Sequence, residues 1–305
     1  MDARTKEMLK KVRTVEIQTR RIVHQVLTGS YRSAFKGSGI DFEEVREYCY
    51  GDDVRAIDWN VTARSDQTFI KKFREERELS ILLVLDLSAS GAFGSGGVSK
   101  REYAAELASA LAFSAALNND KVGLVLFTDR VEKVIYPQKG RKHVLRILRE
   151  VLFYEPIGRG TNIVSALHYV SKMMKKRSVV FLLSDFLQFD NNQPQNTKDQ
   201  PLFRALRLAG RKHDLVCGIL SDPRETTLPS AGYVEFEDAE SGDTIEINTR
   251  SKRFRRKYEN LTSDLFARRD NAFRQSGLDT MHLRTDASYL KALRLLFAKR
   301  SGRHT

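Results

Sequence analysis

A chain of 305 residues with 41% hydrophobic side chains is long enough to bury a full core and leave residues over for an appendage. Its formal charge of +13 favours acidic partners without choosing among nucleic acid, anionic lipid and an acidic protein face. The two cysteines, Cys49 and Cys217, lie far apart without a metal-like or redox-like spacing, and the six scattered histidines form no ligand pair, so neither a disulfide framework nor a zinc site is suggested.

Both thiols are expected to be buried, and each histidine to be a surface or satisfied core residue. No run of about eighteen apolar residues occurs, and MDARTKEMLKKVRTVEIQTRR lacks the apolar stretch of a secretory signal. The expectation is a cytoplasmic protein without direct membrane insertion.

Along the chain, residues 4–27 place Leu9, Val12, Val15, Ile22, Val23 and Val26 at loosely helical spacing, with Gly29 as a stop, so residues 1–29 read as an N-terminal helix. Residues 30–78 change to a glycine-punctuated, polar texture and read as a small appended β-rich subdomain. There QTFIKKF suggests a strand. GDDVRAIDW reads as a tight acidic turn leading into a strand, with Trp59 in the core and Arg55 paired to a nearby acid.

From residue 79 to 300 short apolar runs alternate with helical stretches, the pattern of an α/β domain with a doubly wound, mostly parallel sheet covered on both faces by helices. ILLVLD (81–86), VGLVLF (122–127) and SVVFLLSD (178–185) are buried strands, and the more polar VEKVIYP suits an edge. Helices are expected over 101–117, KHVLRILREVLF, NIVSALHYVSKMM and LFRALRLAGRK, followed by strand DLVCGILS. Residues 191–200 form a polar insertion, YVEFED and DTIEINT a hairpin around Ser241-Gly242, and a basic helix covers about 251–275. Its run RSKRFRRK reads as a solvated face, because no aromatic platform accompanies it.

The chemistry-bearing residues lie at strand ends. In Asp86-Leu87-Ser88-Ala89-Ser90 a carboxylate leaves a buried strand and two hydroxyls follow at alternate positions, so all three can point the same way. By themselves these are ordinary turn residues. Thr161, in GRGT at the mouth of a helix, adds a hydroxyl, and Asp185, closing another buried strand, adds a second carboxylate. In open α/β sheets ligands collect beyond the carboxyl ends of strands where strand order reverses. Such a set of oxygens suits a hard divalent cation, Mg²⁺ or alternatively Mn²⁺ or Ca²⁺.

These five residues resemble the von Willebrand factor A family, whose metal-ion-dependent adhesion site runs Asp-x-Ser-x-Ser, then Thr, then Asp. The resemblance implies that Ser88, Ser90 and Thr161 bind the metal directly or through water, and that Asp86 and Asp185 act largely through waters. It also implies an open metal position that takes an acidic side chain from a partner protein. Two departures stand out: the glycine-rich loop Gly91–Gly97, able to shield or reshape the site, and Phe186, where many A domains have glycine.

A longer match is carried by Gly37, Gly39, Asp41, Phe42, Arg46, Tyr48, then Gly51-Asp52-Asp53, Arg55, Ile57-Asp58-Trp59 and Ala63-Arg64, and again by Ser184-Asp185-Phe186. These resemble the bacterial domain of unknown function 58 family. The resemblance implies a non-enzymatic adaptor beside a MoxR-type AAA+ ATPase. The sequence has no GxxxxGK[ST] P-loop, so ATP hydrolysis would come from that partner chain.

A Mg²⁺-dependent phosphohydrolase is the enzymatic alternative, although Ser88 and Ser90 stand where an Asp-x-Asp-x-Thr motif would have Asp and Thr. A nucleic-acid binder acting through the basic helix is the other, and rests on charge alone.

Overall fold

The computed structural model describes residues 16–17, 31, 34–35, 41–65, 67–74, 79–187, 200–239 and 242–302. The chain forms two compact units, one of residues 35–79 and one joining residues 1–34 to residues 80–305. The helix expected over 4–27 lies outside the described residues except at Glu16 and Ile17, which are helical. The match at 37–40 and the insertion at 191–199 also lie outside them.

In the smaller unit β1 (Asp41–Glu47) pairs antiparallel with β2 (Phe69–Arg74), Val45 opposite Lys71 and Glu47 opposite Phe69. The segment between them is built by aspartate caps. Asp53 accepts from Arg55 N–H and closes a single 3-10 turn over Val54–Ala56. Asp58 accepts from Asn60 and Val61 N–H and caps α1 (Trp59–Thr62).

Four expectations about this segment are corrected. An aspartate that captures the backbone N–H groups two and three residues on holds the chain in a turn, so GDDVRAIDW does not run into a strand. Trp59 consequently sits on the first turn of a short helix and is 67% exposed instead of lying in a core. The ion pair found here among the described residues is that of Arg46 with Asp52, bonded at 2.9 and 2.7 Å, in place of the expected pairing of Arg55 with a nearby acid. Cys49, on the turn that Asp52 closes through the Cys49 N–H at 2.9 Å, is exposed, while Cys217 is buried as expected.

The larger unit carries β3 (Ser80–Asp86), α2 (Lys100–Leu117), β4 (Lys121–Phe127), β5 (Val131–Gln138), α3 (Arg141–Phe153), α4 (Ile163–Met173) and β6 (Val179–Ser184). Then follow α5 (Pro201–Lys212), β7 (Asp214–Ser221), β8 (Tyr233–Glu237), β9 (Thr244–Asn248), α6 (Lys252–Ser276), β10 (Asp279–Arg284) and α7 (Tyr289–Ser301). Six strands form one sheet in the order β10-β7-β6-β3-β4-β5, parallel except for the edge strand β5. This is the expected α/β architecture. The elements β10 and α7 extend it beyond what was read from the sequence, and β8 with β9 form the expected hairpin as a separate ribbon.

Strand β3 lies at the centre because every residue from Ile81 to Leu85 is apolar and at most 1% exposed, which requires helices on both faces. Leu82 and Val84 pack with Val125, Leu182 and the inner faces of α4 and α5. Their alternating neighbours Ile81, Leu83 and Leu85 face the other side, where the alanine-rich α2 approaches. Each such buried leucine stabilises the fold by roughly 2 kcal/mol. His213, at the end of α5, is fully buried, and neither ring nitrogen has a hydrogen-bond partner. Desolvation together with Lys212 and Arg177 lowers its pKa, so it is an unsatisfied core histidine and not the satisfied one expected.

Candidate metal centre

The chain reverses direction across the sheet at β3. From β3 it moves to β4 and β5 on one side, then crosses back to lay β6, β7 and β10 on the other. The crevice at this reversal opens between the carboxyl ends of β3 and β6, where Leu85 lies opposite Leu183. Asp86 is the last residue of β3, and Asp185 is the residue just past β6.

Four of the five candidate residues meet there through direct hydrogen bonds. Asp86 Oδ1 accepts from Ser88 N–H at 2.9 Å, and its Oδ2 accepts from the Ser184 hydroxyl at 2.6 Å. The Ser88 and Ser90 hydroxyl oxygens lie 3.1 Å apart, and Ser90 donates to Asp185 Oδ2 at 2.8 Å. Asp86, Ser88 and Asp185 are 7%, 3% and 5% exposed. Thr161 lies in the loop before α4, and that loop is bonded to the serine segment through Ala89 N–H on Arg159 O at 2.9 Å. The next residue, Asn162, donates its N–H to Thr128 O at 2.8 Å, anchoring the same loop to the end of β4.

Asp185 is held at both its carboxylate and its main-chain carbonyl. Leu187 N–H reaches its Oδ1 at 3.2 Å, and Arg269 from α6 donates to its carbonyl oxygen at 3.0 Å. Phe186 adopts a left-handed conformation with φ 54° and turns the chain sharply after the carboxylate. Its ring is completely buried and meets Phe273 edge-on, the centroids 5.0 Å apart. The departure from glycine noted in the sequence therefore falls at a position whose backbone favours glycine.

Burial pushes the Asp86 carboxyl up to about 6, and the negative charge of Asp185 adds to the shift, against hydrogen bonds from Ser184 and Ser88 that oppose it. Two carboxylates and two hydroxyls converging in a buried crevice make a donor set of oxygen chemistry that fits a hard divalent cation. Among the described residues no group of three or more His, Cys, Asp and Glu side chains forms a metal cluster. The candidate centre relies on serine oxygens instead.

Residues absent from the sequence-based set complete the site. Lys100, first residue of α2 and 1% exposed, donates to Asp185 Oδ2 at 2.7 Å and to Glu225 Oε1 at 2.6 Å. Burial alone would lower its pKa, but the two carboxylates outweigh it and raise it. Glu225 also accepts from Asp222 N–H at 2.9 Å in a capping box over Pro223–Glu225. The box has a readable signal, Asp-x-x-Glu just after a strand.

Asp222 pins the glycine-rich loop, accepting from Ser95 N–H at 3.0 Å and Ser95 Oγ at 2.6 Å, and it accepts from Thr285 Oγ1 at 2.6 Å. Burial works to raise its pKa, but the Ser95 and Thr285 hydroxyls and the Ser95 and Arg224 N–H groups hold the carboxyl down to about 2.

On α6, Lys252, Arg253, Arg256 and Lys257 are exposed, as expected of a solvated face, and line an open groove with Leu261. Among the described residues no helix is long and apolar enough to cross a membrane.

An uncharacterized protein of Mycobacterium tuberculosis is 29% identical over 302 residues, spanning 95% of this chain and 89% of that protein. The structure of the hypothetical protein BatB from Bacteroides thetaiotaomicron is 17% identical with a TM-score of 0.44, covering 73% of this chain and 99% of that one. The SpRpn10 VWA domain is 10% identical with a TM-score of 0.36, over 71% of this chain and 93% of that domain. Residues 44–267, well over half of the chain, match the family described as protein of unknown function DUF58. The chain belongs to the DUF58 family.

Proposed function

We propose that this chain is a non-enzymatic, metal-dependent protein-interaction module. The observation that carries the reading is the convergence of Asp86 and Asp185 from adjacent strand ends on the Ser88–Ser90 segment, Asp86 through the Ser88 N–H and Asp185 through the Ser90 hydroxyl, which is linked to that of Ser88. Asp86, Ser88, Ser90, Thr161 and Asp185 would hold a divalent cation, Mg²⁺ or in its place Mn²⁺ or Ca²⁺. When bound, the cation would offer a positive charge to an acidic side chain of a partner protein. The chain's own residues set the stage: Ser184 and Ser88 N–H orient the Asp86 carboxylate, while Leu187 N–H and Lys100 orient that of Asp185.

Membership of the DUF58 family supports an interaction role. The partner we favour is a MoxR-type AAA+ ATPase, which would supply the ATP hydrolysis for which this sequence has no P-loop. A phosphohydrolase reading receives less support, because Asp86 would have to attack phosphorus with a carboxylate whose two oxygens already accept from Ser88 N–H and the Ser184 hydroxyl.

Calorimetric Mg²⁺ titration of the wild type and of Asp86→Ala, each with a thermal melt to establish folding, tests the site. Saturable binding in the wild type that disappears in the folded variant is the expected result, and a Mg²⁺-dependent pull-down with the ATPase then tests the partner. Turnover of a generic phosphate ester, lost in Asp86→Ala, would replace the adaptor reading with the enzymatic one.

A further inference from the structure

Lys100 occupies an electrostatically adverse place. Its ammonium is taken almost wholly out of water, which is costly for any ion, and it stands on the first turn of an eighteen-residue helix, whose amino end already carries positive partial charge. Its backbone N–H is committed to Phe93 O at 2.9 Å, and the preceding Ser99 caps the helix with Glu102, so the main chain that carries the lysine is fixed by the loop.

What offsets these costs is a pair of carboxylates within hydrogen-bond distance, Asp185 at 2.7 Å and Glu225 at 2.6 Å. The contact to Asp185 uses Oδ2, the same oxygen that accepts from Ser90 at 2.8 Å. An ammonium group and the hydroxyl of a candidate metal ligand therefore share one acceptor atom.

We propose that Lys100 is the resident cation of this centre. It neutralises Asp185 so that the end of the sheet folds without a divalent ion, and it sets the affinity for that ion, because an entering cation must share Asp185 with it. The second half rests on the metal-binding reading above. The assignment also gives Glu225 a role: it is the second acceptor, to which the ammonium passes when Asp185 is engaged. Because Glu225 closes the turn whose Asp222 pins Ser95, the same lysine ties the centre to the glycine-rich loop beside it.

Two substitutions on the full chain test this in opposite directions. Lys100→Met keeps the aliphatic stem and deletes the charge, leaving Asp185 and Glu225 without their common counter-ion. Its melting temperature in EDTA is expected to fall by several degrees and to recover on adding MgCl₂, while calorimetric Mg²⁺ affinity rises about tenfold over the wild type. Glu225→Gln removes the competing acceptor, concentrates the ammonium on Asp185, and is expected to weaken Mg²⁺ binding several-fold.

Wild type that binds Mg²⁺, with Lys100→Met no tighter or Glu225→Gln no weaker, overturns the role of Lys100 and leaves the metal reading intact. Should Lys100→Met fail to fold, the Glu225→Gln titration decides alone. Absence of Mg²⁺ binding in wild type and in folded Lys100→Met together overturns the metal reading and this proposal with it. Binding in Lys100→Met alone supports both, since a resident lysine is then what masked the site.

Discussion

Phe186 offers the sharpest test of how the centre is built. Its ring is fully buried against Phe273, which itself meets Phe203 edge-on at 5.4 Å, so removing it opens a cavity in the layer under α5 and α6. Truncating a buried phenylalanine to alanine costs about 3–5 kcal/mol. At an ordinary strand or helix position, going on to glycine would cost about 0.5–1 kcal/mol more in backbone entropy. Phe186, however, has φ 54°, where a Cβ is unfavourable by about 1–2 kcal/mol and glycine is not.

The usual order should therefore invert. Phe186→Ala is expected to lose about 4 kcal/mol and Phe186→Gly about 3 kcal/mol, the difference being relief of left-handed strain outweighing chain entropy. Equilibrium urea unfolding in EDTA, followed by far-UV circular dichroism, reads both values on one scale. If the glycine variant is the less stable by 0.5 kcal/mol or more, on the order of the ordinary entropy cost, the backbone at Phe186 is not strained and the reasoning fails.

Two further outcomes are expected. The Asp86 carboxyl is raised from 3.8 to about 6, so the folded state binds more protons than the unfolded one between these values. Its share of stability, about 3 kcal/mol, is fully present below pH 4 and lost as pH rises through about 6. Metal-free Asp86→Asn should consequently lack this decline, and parallel pH–melting curves for the two proteins between pH 4 and 7 would exclude it. At Gly94 an added Cβ would collide with the Val98 carbonyl and lie 2.6 Å from Ser99 Cα, both main-chain atoms that cannot swing away. Gly94→Ala should displace the 91–97 loop and release Ser95 from Asp222, seen as faster amide exchange across the loop; unchanged exchange there would show that the loop absorbs the clash.

The α/β class, the three buried strands and the alternation of strand and helix were legible in the sequence because burial on both faces demands continuous apolar runs, as in ILLVLD and SVVFLLSD. The positions of Asp86, Ser88, Ser90 and Asp185 followed from those runs, since each lies at or just beyond a strand's carboxyl end. The difference is local: a strand after GDDVRAID would carry Trp59 into a core, whereas the aspartate caps at Asp53 and Asp58, both just before it, dictate a turn.

Strand order is a tertiary quantity, and only it could bring together residues almost a hundred positions apart. That β6 lies beside β3 decides that Ser184 reaches Asp86 and that Ser90 reaches Asp185. Lys100 carried no such signal for the same reason: a lysine at the start of a helix looks like a solvated residue until the fold buries it between two carboxylates. Local patterning thus determined which residues end strands, because periodicity and capping act over a few residues. Packing of the sheet decided which charges share one low-dielectric crevice, because that depends on neighbours contributed from across the chain.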